Sequence, residues 1–188
     1  MLRVTTSYQS IAKWNRPTLP NWGDWVVYNL DHLGLRGLTA TILLLLSIYL
    51  GWKFETWRPF NLSVISLLAL NAVVGLAKLE FGRTKPSTGF DLVFTDSGLS
   101  YPSGHAANAI LTWGIFAYLI FRYSHKYPFE GMRLTWFVAI VTTGVCLASI
   151  YRNTHWFSDL LGGLFIGSAL LVAIIAVDRS ITSDRQPS

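Results

Sequence analysis

His155 and Asp159, four residues apart, and a second histidine, His105, closing the segment PSGH at 102–105, are the side chains whose types and spacing could do chemistry. On a helix, a carboxylate four residues from an imidazole shares its face. It can hold one ring nitrogen, fix the tautomer and leave the other nitrogen free to attack phosphorus. His105 is then available as proton donor to a leaving oxygen. Pro102 stops any preceding helix, and Ser103 is a good N-cap for a helix beginning at Gly104 or His105, so free N–H groups and a positive dipole end are presented there. Such a terminus cradles anions. Gly104 permits close approach by a bulky oxyanion, and Lys78, Lys85 and one or both of Arg83 and Arg152 supply positive charge. Phosphate is the anion this set suits.

For these residues to meet, the chain must carry two distant loops to one surface. Of 188 residues, 52% are apolar and only 13% charged, about half of the ~25% usual for soluble domains. Apolar runs at 38–52, 61–79, 106–121, 134–150 and 160–177 approach the ~20 residues that cross a bilayer core, and 33–37 can extend the first. The fold class expected is therefore all-α, a polytopic membrane bundle of about five transmembrane helices. Aromatics at the span ends, Trp52, Trp57, Trp113, Tyr118, Trp136 and Trp156, fit the headgroup level. The stretch at 22–34 mixes Trp, Val, Tyr and Leu with Asp24, Asp31 and His32 and reads as an amphipathic helix lying in the interface. The N-terminal residues lack the apolar core of a cleavable signal peptide. One membrane-embedded domain over 1–188 is expected, with 1–35 interfacial and 61–176 bearing the motifs.

With five crossings, the loop after the second span and the loop between the fourth and fifth open on the same face. Lys78, Arg83, Lys85, Ser103 and His105 from the first loop then join Arg152, His155 and Asp159 from the second. The net charge of +5 flanks spans, which makes lipid headgroups the partner rather than nucleic acid. Cys146 falls inside a span without a second cysteine to pair with. His32 and His125 read as interfacial, and Asn71 as an interhelical hydrogen bond.

These residues resemble the type-2 phosphatidic acid phosphatases, whose three motifs are Lys, six residues, Arg-Pro; Pro-Ser-Gly-His; and Ser-Arg, five residues, His, three residues, Asp. Here they read K-LEFGRT-KP from Lys78, PSGH at 102–105 and AS-IYRNT-H-WFS-D ending at Asp159. Lys85 stands where the first motif has Arg, and Ala148 and Ser149 stand where the third has Ser-Arg. Lys supplies charge without the bidentate fork of Arg, and Ser149 supplies none. Arg152 and Arg83 are candidates to rebuild the cage.

The resemblance implies a catalytic set of His155, His105 and Asp159. His155 attacks the phosphorus to give a phosphohistidine, His105 protonates the leaving group and then activates water, and Asp159 braces His155. Phosphate would be held by Lys78, Lys85, Ser103 and Gly104, with Arg152 and Arg83. The scheme requires no metal or cofactor. Its substrates would be phosphate monoester or diphosphate lipids: a polyprenyl diphosphate such as undecaprenyl diphosphate, phosphatidic acid or phosphatidylglycerophosphate. The alternatives are a lipid phosphotransferase using the same intermediate and a non-catalytic phospholipid-binding homologue. Outside the site, Arg3, Lys13, Arg16 and Arg36 flank the motif-bearing face, and Lys53, Arg58, Arg122, Lys126, Arg133, Arg179 and Arg185 the other. By the positive-inside rule the protein is expected in a plasma membrane with its active site on the extracytoplasmic side.

Overall fold

The computed structural model describes residues 18–81, 99–124 and 129–181. They form six helices and no strand: α1 (Asn21–His32), α2 (Arg36–Lys53), α3 (Arg58–Phe81), α4 (Gly104–Ser124), α5 (Glu130–Tyr151) and α6 (Phe157–Ser180). Each of α2 to α6 contains one of the five expected spans, and α1 is the amphipathic helix. Helices α3 to α6 are long and apolar enough to cross a membrane, whereas α2 joins them only when taken together with α1 across a 60° bend.

The expected extension of the first span through 33–37 reaches back only to Arg36, because the chain turns at 33–35. The Gly34 N–H donates to the Asp31 carbonyl (3.0 Å). Side chains of α4 satisfy the carbonyls exposed by the break, Trp113 Nε1 donating to Leu33 O (3.0 Å) and Asn108 Nδ2 to Gly34 O (3.1 Å). A methyl group on Gly34 would fall 2.7 Å from Val145 Cγ1 and 3.1 Å from the His105 ring, so the corner needs glycine to lie this close to α4 and α5.

Polarity is inverted relative to a soluble bundle. Leu68, Leu79, Ile140, Phe165 and Val172 are exposed, as are Trp52, Trp57 and Trp136 near helix ends, while Ser47, Ser63, Ser66, Asn108 and Thr112 are buried. Lipid is the solvent that makes this arrangement favourable: small side chains let the backbones approach, and their hydroxyls bond within the bundle. Ser63 and Ser66 donate to the carbonyls of Pro59 and Leu62 on their own helix.

Helix α4 is the axis. It packs against α2, α3, α5 and α6, and 72% of its apolar window is buried, against 17–28% for α3, α5 and α6. Helix α1 packs on α5, and α3 on α6. Helices α5 and α6 both pack on α4 but barely touch each other, leaving between them a groove of about 510 Å³ whose walls include Ile110, Gly114, Val138, Thr142, Leu171 and Ile175.

At the end of the bundle away from the PSGH segment, Asp178 of α6 is buried and takes Arg58 Nε (2.7 Å), Arg122 Nη1 (2.5 Å) and the Tyr118 hydroxyl (2.6 Å). This cluster ties the start of α3 and the last turns of α4 and α6 together.

Candidate active site

The start of α4 is fixed by its cap. Ser103 Oγ accepts the Ala106 N–H (3.3 Å) and the Ser103 carbonyl accepts that of Ala107 (3.2 Å). The Gly104 and His105 N–H groups precede the first N–H that finds a backbone acceptor within the helix and face outward from the helix start, as the first donors of any helix do. The Ser103 N–H in turn donates to the Asp159 carbonyl (2.9 Å), so the two motif segments are joined through backbone.

Closeness of α4 and α6 comes from small residues. A methyl on Gly163 would fall 2.4 Å from Ser103 O, and one on Gly167 would fall 2.5 Å from Ile110 Cγ2 and 2.7 Å from Ala107 O. The two glycines are spaced as in the small-xxx-small pattern that lets membrane helices meet backbone to backbone. Leu160, one turn earlier, is buried in the same seam.

His155 lies in the short connection between α5 and α6, where Asn153 takes the left-handed conformation (φ 54°) that asparagine tolerates better than most residues. The Trp156 N–H donates to Asp159 Oδ2 (2.9 Å), and the same oxygen lies 3.6 Å from His155 Nδ1. Both side chains are buried, at 8% and 0% exposure, and Nδ1 has no hydrogen-bond partner. The separation is wider than a hydrogen bond. A small ring rotation closes it, consistent with catalytic contacts that tighten only around substrate.

The His105 and His155 rings stand 6.0 Å apart between centroids, inclined at 55°. The structure thus gathers His105, His155, Asp159, Ser103 and Gly104 at one end of the bundle, and Lys78 donates to the carbonyl of Leu99, three residues before the PSGH segment. Arg83 and Lys85 lie outside the described residues. Arg152 is at the same end, but its Nη1 is engaged by Asp31 Oδ2 (2.6 Å) and its guanidinium lies over the Tyr28 ring, 5.6 Å from the centroid. Ser149, at the position where the family motif has arginine, is buried and donates to Asp31 Oδ1 (3.3 Å). No group of three His, Cys, Asp or Glu side chains able to hold a metal occurs among the described residues.

Sequence reasoning missed two residues at this end. Asp31 belongs to an amphipathic helix otherwise turned to the interface, yet it is 8% exposed and anchors Ser149 and Arg152. Arg36, one of several flanking cations in the sequence, donates through Nη1 to Asn71 Oδ1 (2.8 Å), while its Nη2 lies where a methyl on Gly104 would come within 2.8 Å. The interhelical bond expected of Asn71 is this one.

The fold is that of a multi-pass helical membrane protein with its polar groups gathered at one end. The model of the PAP2 superfamily matches residues 34–182, from the glycine corner through the last helix, and the chain belongs to that superfamily, as a membrane phosphatase. Phosphatidylglycerophosphatase B of Bacillus subtilis strain 168 is 22% identical over 169 residues, spanning 88% of this chain and 80% of that protein. The crystal structure of a transmembrane PAP2-type phosphatidylglycerolphosphate phosphatase from Bacillus subtilis has the same fold, with a TM-score of 0.80 at 20% identity over 98% of this chain and 90% of its own.

Proposed function

We propose that this protein is a lipid phosphatase that hydrolyses the terminal phosphate of phosphatidylglycerophosphate or a closely similar phosphorylated lipid through a phosphohistidine on His155. The observation that carries the reading is the pair of imidazoles 6.0 Å apart, one of them beside a buried carboxylate. With Asp159 on Nδ1, Nε2 of His155 presents its lone pair to phosphorus. The N–P bond forms as the P–O bond to the lipid breaks, and His105 gives its proton to the departing alkoxide. Water then loses a proton to His105 and attacks the phosphohistidine, releasing inorganic phosphate and restoring His155. The Gly104 and His105 N–H groups and the Lys78 ammonium are placed to stabilise charge on the transferring group, a contribution that usually dominates phosphoryl transfer. Neither step calls on a metal.

The groove between α5 and α6 supports a lipid substrate, since its mostly apolar walls, running from Ile110 and Thr142 to Phe121 and Arg179, give an acyl or prenyl chain room in the half of the bundle beyond the site. We place the site on the extracytoplasmic face of a plasma membrane, on the excess of Lys and Arg at the opposite end. The test is phosphate release in detergent, with chelator present, from phosphatidylglycerophosphate, phosphatidic acid and undecaprenyl diphosphate, each as sole lipid. We expect turnover of at least one, abolished by His155→Ala. Full activity of that variant, or dependence of wild-type turnover on added metal, would overturn the reading. Turnover only on addition of an acceptor alcohol would make the protein a phosphotransferase instead.

A further inference from the structure

The motif position that carries arginine in the family is Ser149 here, and Arg152, the nearest arginine in sequence, is committed to a carboxylate. Resting on the phosphatase reading above, we infer that Arg36, from outside all three motifs, supplies the guanidinium that grips the substrate phosphate.

Three observations converge on it. Arg36 opens α2 immediately after the corner at Gly34, and that corner lies against the His105 ring, so its backbone is anchored beside the proposed general acid. Asn71 of α3 receives Nη1 (2.8 Å) and so directs the guanidinium plane across the bundle end. Nη2 then stands over the residue that starts α4, in space left open because Gly104 has no Cβ.

The electrostatics say what is missing from this arrangement. A guanidinium held over a helix N-terminus meets the positive end of the helix dipole, and no carboxylate among the described residues pairs with Arg36. Contrast Arg152, whose charge Asp31 already balances (2.6 Å). Two positive elements set against each other, with no carboxylate paired to Arg36 among the described residues, form a receptor for an anion between them. A phosphoryl group between the two imidazoles would present equatorial oxygens both to the Gly104 and His105 amides and to Nη2. Arg suits this place because its fork can serve Asn71 with one nitrogen and phosphate with the other, which the point charge of Lys cannot. The glycine of PSGH thereby gains a second role, that of admitting a side chain from α2.

The test measures two things on detergent-purified full-length protein: the affinity for orthovanadate, a phosphate mimic whose binding does not require the right lipid, read by thermal shift, and phosphate release from whichever lipid the wild type turns over. We expect Arg36→Ala to lose about 10²-fold in both, in line with removal of one preorganised donor to a transferring group, with the ligand-free melting temperature little changed. Arg36→Lys should recover part of the vanadate affinity and less of the turnover. Should Arg36→Ala fold poorly, Arg36→Gln, which keeps a donor for Asn71 but carries no charge, is expected to show the same losses. Vanadate affinity and turnover within threefold of wild type in the alanine or glutamine variant, while His155→Ala is inactive, would overturn the assignment of Arg36 and leave the phosphatase reading standing. A fully active His155→Ala would instead sink the reading on which it rests.

Discussion

Gly163→Ala adds one methyl group at the tightest point between α4, which carries His105, and α6, which follows directly on His155. Its carbon would lie 2.4 Å from the Ser103 carbonyl oxygen, with the Ala106 Cβ at 3.1 Å and the Ala107 nitrogen at 3.2 Å. Carbon against a carbonyl oxygen settles at roughly 3.3 Å, and the obstructing atoms are mostly backbone, so side-chain rotation cannot relieve the clash. Helices α4 and α6 must part by about 1 Å at this level. Overpacking of this kind costs about 1–3 kcal/mol of stability. The displacement also acts on the carbonyl that caps α4 and on the Ser103 to Asp159 backbone bond (2.9 Å), and so on the spacing of His105 from His155. A misplacement near 1 Å can lower a rate by about 10²-fold. Phosphate release measured alongside melting temperature in the same detergent separates the two effects, and we expect turnover to fall far more than the loss of folded protein explains. Gly75→Ala is the control, because a methyl there meets nothing within 4 Å; it should leave turnover unchanged and raise helix stability slightly. Wild-type turnover in Gly163→Ala would refute the idea that backbone contact between α4 and α6 sets the spacing of the imidazoles.

Asp159→Asn keeps an acceptor for the Trp156 N–H but removes the carboxylate that the proposed mechanism requires against His155 Nδ1, and a fall in kcat of about 10³–10⁴-fold is expected with the fold retained, checked by phosphate release and circular dichroism. Asp178→Asn strips the buried partner of two arginines, so a destabilisation of about 3 kcal/mol should appear as an earlier thermal transition; at equal folded fraction, activity should hold. Thr142→Val replaces a buried hydroxyl that has no hydrogen-bond partner, and thermal unfolding is expected to show it neutral or stabilising.

The sequence displays those parts of the site that lie close together along the chain. Serine after proline announces a helix start, because local geometry alone produces it; the shared helical face expected of His155 and Asp159 does not form, since α6 begins at Phe157, and the two approach across the turn into that helix instead. Apolar run length likewise gives five helices, since a bilayer imposes it directly. The corner at Gly34 escaped because its stability comes from Asn108 and Trp113, more than seventy residues away. Asp31 and Arg36 escaped for the same reason: the first is identified by an arginine 121 positions on and the second by an asparagine 35 positions on. In isolation, each is an ordinary polar residue near a membrane surface.

The unequal attachment of the groove's two walls has a mechanical consequence. Helix α6 is fastened at one end by the Asp178 charges and along its first turns by Gly163 and Gly167, while α5 meets α4 through side chains and carries α1 on its outer side. Widening the crevice for a bulkier guest therefore falls to α5, which moves as a leaf against a fixed jamb. Asp31 rides on that leaf with Arg152, so passage of a large lipid tail and the posture of the loop bearing His155 are two readings of one hinge.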